Sequence, residues 1–182
     1  PGKAERFERM DDVNVTVSPQ PFVSVLAYNQ RANGWTPFRR ESVRQALAHA
    51  VNKEAIADTI YRGYAQVAQT MQPKWSKWYS DDEITNYGVG DRYGEMTRDL
   101  LADALSDTEY GYDGETLVDG DGEPVSLTLF FDQGQETERT VAEFIAQEYG
   151  TNAGIDVQVK ATSSFISQYA TARPPNGTEV EW

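Results

Sequence analysis

The residues able to carry chemistry are few, and most stand in patterns that argue against it. His49 is the only histidine, and cysteine is absent. A nucleophilic triad needs an imidazole held between an acid and a nucleophile. His49 instead falls at the edge of an apolar helical face that begins at Val43, so a structural or solvent-facing histidine is the better reading. One histidine and no thiol leave a zinc site without its ordinary ligands, and exclude disulfides and thiolate chemistry. Asp119-x-Asp121-x-Glu123 has the opening of a calcium loop, but Pro124 stands where that loop needs Gly and Phe130 where it needs its closing Glu. A hairpin turn fits better. Pairs such as Asp81-Asp82 or Glu179/Glu181 are expected in a chain with 29 acidic residues, and give a glycosidase dyad no support. Gly88-x-Gly90 lacks the strand-to-helix setting of a phosphate loop.

The aromatic residues leave more open. Trp75, Trp78 and Tyr79 lie together in a long irregular stretch. Indoles at this spacing either stack on sugars or line an apolar pocket, or else hold the loop onto the body, which is the more frequent use. Tyr28 and Asn29 end a stretch of strand character, where Asn29 either meets a ligand or bonds the backbone of the following turn. Nothing here argues for an enzyme; the alternative in that class is a carbohydrate-acting one with Trp75 and Trp78 as its platform.

These residues must be positioned by the elements between them. Val43, Ala46, Leu47, Ala50 and Val51 recur at the spacing of one helical face, and Ala55, Ile56, Thr59 and Ile60 continue the stripe after Asn52, a capping residue. Two short helices joined at Asn52 are therefore expected, stopped at Gly63 in a left-handed conformation. Upstream, Ala4 to Met10 suits a helical turn or two. Val13 to Val17 and Phe22 to Tyr28 read as strands, broken by Pro19 and Pro21. The stretch from Gln69 to Gly94 has no period, and loops that long pack by their own side chains or serve binding. Met96 to Leu105 is an amphipathic helix with Leu100, Leu101, Ala104 and Leu105 inward. Asp113-Gly114 and Asp119-Gly120-Asp121-Gly122 carry turn chemistry around Thr116-Leu117-Val118, a hairpin signal. Val125 to Phe131 reads as a strand. A helix from a cap at Thr137 to a stop at Gly150 follows, then a strand from Ile155 to Ala161. That is a βαβ unit over 125–161 with parallel strands and a right-handed crossover. A last helix is expected over Ser163 to Ala172, broken at Arg173-Pro174-Pro175.

Composition bounds the function classes. At 182 residues the chain suits one domain with a sizeable core. Acidic residues outnumber basic ones 29 to 16, for a net charge of -13, and only five of the basic residues are Lys (Lys3, Lys53, Lys74, Lys77 and Lys160). That charge repels nucleic acid and anionic lipid. The acidic surface serves either solubility alone or life in high salt, which screens the repulsion; scarce Lys favours the second.

The stretch Val43-Arg44-Gln45-Ala46-Leu47, Asn52-Lys53-Glu54 and Gly63-Tyr64-Ala65, preceded by Leu26-Ala27-Tyr28-Asn29, resembles the signature of the family 5 extracellular solute-binding proteins. These are the peptide- and nickel-binding components of ABC importers. Asn52 departs from the family's usual Asp, and both cap helices well. Met96 to Leu105, Val125 to Phe131, Ala142 to Tyr149 and Gly154-Ile155-Asp156-Val157 are similar to the elements that follow there. Ala104-Leu105-Ser106-Asp107 and a longer acidic loop stand in place of the usual Ala-Gly-Tyr.

The resemblance implies an α/β fold, part of a lobe of the type II periplasmic-binding-protein kind (peptide-binding, cluster C), with a mixed sheet flanked by helices. It implies capture of di- or oligopeptides outside the cell by closure of two lobes, delivery to a membrane permease, and no cofactor. Another solute, such as a sugar or a nickel complex, is not separated from peptide by any sequence feature. Residues 1–20 are expected to be a remnant of the first lobe or its hinge, and 21–182 part of the second lobe. With Pro1 at its start, the chain is expected to be an excised piece of a parent anchored at the cell surface as a lipoprotein, from a halophilic archaeon. By the family's layout Tyr28 and Asn29 lie near the cleft and hinge, and with Trp75 and Trp78 they are the candidate ligand-binding residues. The family's main second-lobe contacts are expected beyond this stretch, and Trp182 does not match them. A lone lobe with uncovered apolar surface and strand edges is also expected to self-associate.

Overall fold

Apolar residues at helical spacing must be buried against something, and here the partners come from the far end of the chain. The computed structural model describes residues 4–163 except 19, 21, 81, 83, 91, 92 and 95. Helix α2 (Glu41–His49) buries Val43, Ala46 and Leu47, and Ala50 and Val51 follow at its exit. This face packs on Leu101 and Leu105 of α4 (Thr97–Leu105) and joins Ile145, Tyr149 and Ala153 of α5 (Glu136–Ala153) in one core. A short α1 (Ala4–Glu8) lies at the start, where a turn or two is expected.

The corner at Asn52 forms as its sequence predicts. The Asn52 carboxamide oxygen accepts from the Ala55 backbone N–H at 2.8 Å, which caps α3 (Lys53–Ala55). The chain then widens into a π-helical turn, Ile56–Ile60, which periodicity alone does not foretell. Arg62 (φ 54°) and Gly63 (φ 75°) are both left-handed, so the stop that Gly63 announces includes a non-glycine residue as well.

The hairpin and the βαβ unit are both present. Strands β1 (Gly111–Asp113) and β2 (Thr116–Val118) pair antiparallel, with Gly111 opposite Val118. Strands β3 (Ser126–Asp132) and β4 (Asp156–Thr162) pair parallel, with Ser126 opposite Asp156, and α5 connects them. Leu117 fastens hairpin to sheet. Its N–H donates to the Gly154 carbonyl at 2.9 Å, its carbonyl accepts from Val125 N–H at 2.9 Å, and its side chain is fully buried.

Three sequence expectations fail here for identifiable reasons. Val13 to Val17 and Phe22 to Tyr28 belong to no strand, because no described segment offers them a ladder partner; alternation supplies a face, not a neighbour. Leu26 and Tyr28 still pack on the core. Helix α5 is preceded by Gln135 rather than capped by Thr137. It also runs through Gly150 and ends at Gly154. Gly150 is not needed as a stop, since a side chain there would meet only the Ile155 carbonyl at 4.0 Å. At Gly154 a left-handed φ of 66° coincides with a backbone approach so close that a Cβ would lie 2.0 Å from the Glu115 carbonyl oxygen. The helix expected over Ser163 to Ala172, the Pro174-Pro175 break and Trp182 lie outside the described residues, apart from Ser163.

Candidate functional site

The turn after Tyr28 is built by Asn29. Its carboxamide oxygen accepts from the Arg31 N–H at 3.0 Å, and its Nδ2 reaches Asn33 Oδ1 at 3.5 Å. Gly34 closes the turn, donating to the Arg31 carbonyl at 3.1 Å and lying so close to Asn29 that any larger residue would strike its carbonyl. Of the two uses open to Asn29, the structure displays the turn-forming one.

Tyr28 points the other way, into the body. Its ring meets Phe38 at 5.0 Å, and Trp35 stands edge-on to both Phe38 and Tyr110. The Tyr28 hydroxyl bonds the Tyr149 hydroxyl of α5 at 2.8 Å. Burial pushes the Tyr28 phenol up to about 12 and raises that of Tyr149 well above its ordinary value. Both therefore stay protonated and serve as hydrogen-bonding partners rather than acids. Tyr149 as the partner of Tyr28 is not visible in the sequence, because 121 residues separate them.

Trp75 and Trp78 are not where packing would put them. Trp75 is 55% and Trp78 74% exposed, so they do not hold the loop onto the body. The loop is shaped instead by its own polar groups. Ser76 N–H donates to the Pro73 carbonyl at 2.8 Å, Tyr79 N–H to the Ser76 carbonyl at 2.9 Å, and the Ser76 hydroxyl accepts from Trp78 N–H at 3.2 Å. These short-range bonds fix the turn without needing an apolar anchor, which leaves both indoles at the surface. The Lys77 ammonium sits 4.8 Å from the Trp78 ring centre. No hydrogen bond or ring contact joins Trp75 or Trp78 to Tyr28 or Asn29 among the described residues, so the four candidates form two separate places.

The far end of the same loop is anchored at the helix corner. Gly88 accepts from the Lys53 N–H at 3.1 Å, and Gly90 N–H donates to the Glu54 carboxylate at 3.1 Å. Gly94 N–H donates to the His49 carbonyl at 2.8 Å. The Glu148 carboxylate of α5 accepts from the Asn52 N–H at 3.2 Å, and Asn152 Nδ2 donates to the Ala50 carbonyl at 2.8 Å. The signature corner thus ties α2, α5 and the loop into one node. Gly88-x-Gly90 serves close backbone approach there, not a phosphate.

A shallow cleft of about 420 Å³ opens between α2 and α4, with Gln45, Ala46 and Leu100 on its floor and His49 at one end. His49 is buried and stacks edge-on against Tyr87 at 5.1 Å, the structural role its position suggests. Arg40 and Asp107 close the other end as a two-pronged ion pair, and Arg40 also donates to the Ala104 carbonyl at 3.2 Å. The guanidinium hydrogen bonds hold the Asp107 carboxyl below its ordinary value. Asp119 is a turn-former, its carboxylate accepting from both Asp121 and Glu123 N–H at 3.0 Å. No group of three or more His, Asp or Glu stands ready for a metal among the described residues. Nor is any described helix long and apolar enough to cross a membrane.

The arrangement matches a known group of proteins along nearly its whole length. The profile of "Bacterial extracellular solute-binding proteins, family 5 Middle" matches residues 1–178. The oligopeptide-binding protein AppA of Bacillus subtilis is 28% identical over 162 residues, covering 85% of this chain and 28% of that protein. The solved structure of that AppA in complex with a nonapeptide aligns with a TM-score of 0.63 at 23% identity, over 78% of this chain and 27% of that one. NikA of Staphylococcus aureus in complex with Ni(L-His)2 aligns with a TM-score of 0.62 at 23% identity, over 90% of this chain and 30% of that one. These likenesses place the fold among the type II solute-binding proteins, as part of a lobe. The chain spans less than a third of the length of these relatives.

Proposed function

The chain belongs to the bacterial extracellular solute-binding proteins of family 5, and we propose that it is part of the second lobe of a receptor that captures di- or oligopeptides for an ABC importer. In this reading residues 1–20 are a remnant of the first lobe or hinge, and 21–182 belong to the second. The intact receptor closes on the peptide and presents both lobes to the permease, a two-state hinge whose closed form the ligand stabilises. The observation that carries the reading is 28% identity to an oligopeptide-binding protein across 85% of the chain. The family consists of solute-binding proteins rather than enzymes, which weighs against the carbohydrate-acting alternative.

Several finer features belong to the same proposal. Trp75 and Trp78 meet the solute from the surface loop. Tyr28 and Asn29 act at the hinge, where the turn geometry sets the direction in which the chain leaves the lobe. The parent is held at the cell surface by a lipid anchor and comes from a halophilic archaeon, a reading that 29 acidic residues against 16 basic ones support. The isolated lobe binds peptide weakly and self-associates through apolar surface such as Phe22, Met71 and Trp78.

A nickel complex is the second reading, supported by the alignment of 90% of the chain with a nickel-binding protein. Thermal-shift screening of the full-length protein against peptides, oligosaccharides and nickel–histidine complexes decides between them. A shift with peptides alone supports the main reading, and a shift only with nickel–histidine replaces it.

A further inference from the structure

We infer that Asn14 is an acceptor for an N-linked glycan. Asn14-Val15-Thr16 has the acceptor spacing, with a non-proline residue between carboxamide and hydroxyl. The structure adds what the motif alone lacks. Asn14 and Thr16 are both exposed, and neither side chain is engaged in a hydrogen bond among the described residues. The last backbone hydrogen bond upstream closes at Val13, whose N–H donates to the Met10 carbonyl at 3.1 Å. From Val13 to Ser18 the chain has no helix, strand, turn or bend.

A transferase reads this arrangement by drawing such a segment into its own site, which a helix or a sheet ladder would resist. Three other asparagines are engaged elsewhere. Asn29 forms a turn, Asn52 caps a helix and Asn152 holds the Ala50 carbonyl. None of the three has Ser or Thr two residues on. Asn176-Gly177-Thr178 repeats the pattern but lies outside the described residues.

The co-reactant is a lipid-linked oligosaccharide. Asn14 Nδ2 forms a bond to the anomeric carbon of the sugar, and the bond from that carbon to the carrier's phosphate oxygen breaks. The carrier phosphate leaves with the electron pair, and the amide proton passes to a base of the transferase. No oxidant or reductant is involved. A glycan at Asn14 would stand beside Met10, Val13 and Val17, which are 48%, 39% and 61% exposed, and would shield them from self-contact.

The inference rests on the proposed placement outside the cell, so its test has two arms. In the first, the folded chain is incubated with an oligosaccharyltransferase and a lipid-linked glycan, followed by peptide mapping to separate Asn14 from Asn176. Mass added at Asn14, lost in Asn14→Gln and Thr16→Val but kept in Thr16→Ser, is the expected result. Transfer to a denatured chain but not to the folded one overturns the inference. In the second arm, the protein is isolated from its own cells and mapped. An extracellular protein with unmodified Asn14 overturns the inference and leaves the placement intact. A protein found only inside the cell overturns the placement, and the first arm then decides whether Asn14 is an acceptor.

Discussion

Tyr28 and Thr97 show how single polar groups tune this core. The phenols of Tyr28 and Tyr112 are pushed up to about 12 by burial, and that of Tyr149 is also raised well above its ordinary value. Unfolded tyrosines lose their protons near pH 10, so between about pH 10 and 12 the unfolded chain binds fewer protons than the folded one. Stability contributed by these protonated phenols is fully present below pH 10 and falls as pH rises, by up to about 1.4 kcal/mol per pH unit for each tyrosine. Urea midpoints measured across this range should drop, and less steeply in Tyr28→Phe; a flat profile would contradict the buried phenol pair. Thr97 makes a second case. It is fully buried at the start of α4, yet its hydroxyl has no partner among the described residues. An orphaned hydroxyl costs about 1–3 kcal/mol of desolvation, so Thr97→Val should leave stability unchanged or raise it by about 1 kcal/mol. A lower urea midpoint would mean that the hydroxyl is satisfied in solution.

At the scale of elements, α5 carries the sharpest test, because Gly150 within it and Gly154 at its end differ in backbone conformation and in surroundings. Gly154→Ala forces a left-handed residue and a clash with the Glu115 backbone, and should cost more than about 1 kcal/mol. Gly150→Ala fills empty space inside a helix and should gain about 0.5–1 kcal/mol. Melting temperatures moving in the same direction would refute this account of the helix stop. The same pair shows what the sequence can and cannot reveal. Periodicity exposes α2, α4 and the βαβ unit, since burying a face leaves its mark every third or fourth residue of a helix and every second residue of a strand. Choosing between two glycines needs the Glu115 carbonyl, which approaches from a different element. The segment from Phe22 to Tyr28 reads as a strand because its side chains alternate, whereas pairing depends on a neighbour that alternation cannot name. Trp75 and Trp78 were legible as a cluster but not as exposed, because local serine and proline turns hold that loop without them. The Asn52 cap was fully legible, its partner being three residues away.

For the whole molecule, a net charge of -13 governs behaviour in solution. Repulsion among exposed carboxylates weakens as salt screens it, from a Debye length of about 10 Å at 0.1 M to about 3 Å at 1 M. The melting temperature should therefore rise steeply with salt into the molar range, and light scattering at high salt should report dimers or larger species of this lobe. A melting temperature indifferent to salt would sink the halophile reading, and a monodisperse monomer would sink the self-association. In the proposed function this lobe is one jaw of a receptor that shuts on a peptide. Small-angle X-ray scattering of the full-length protein, with and without a saturating peptide, tests it most directly. The radius of gyration should fall when peptide is added. An unchanged radius with peptide demonstrably bound would contradict the claim.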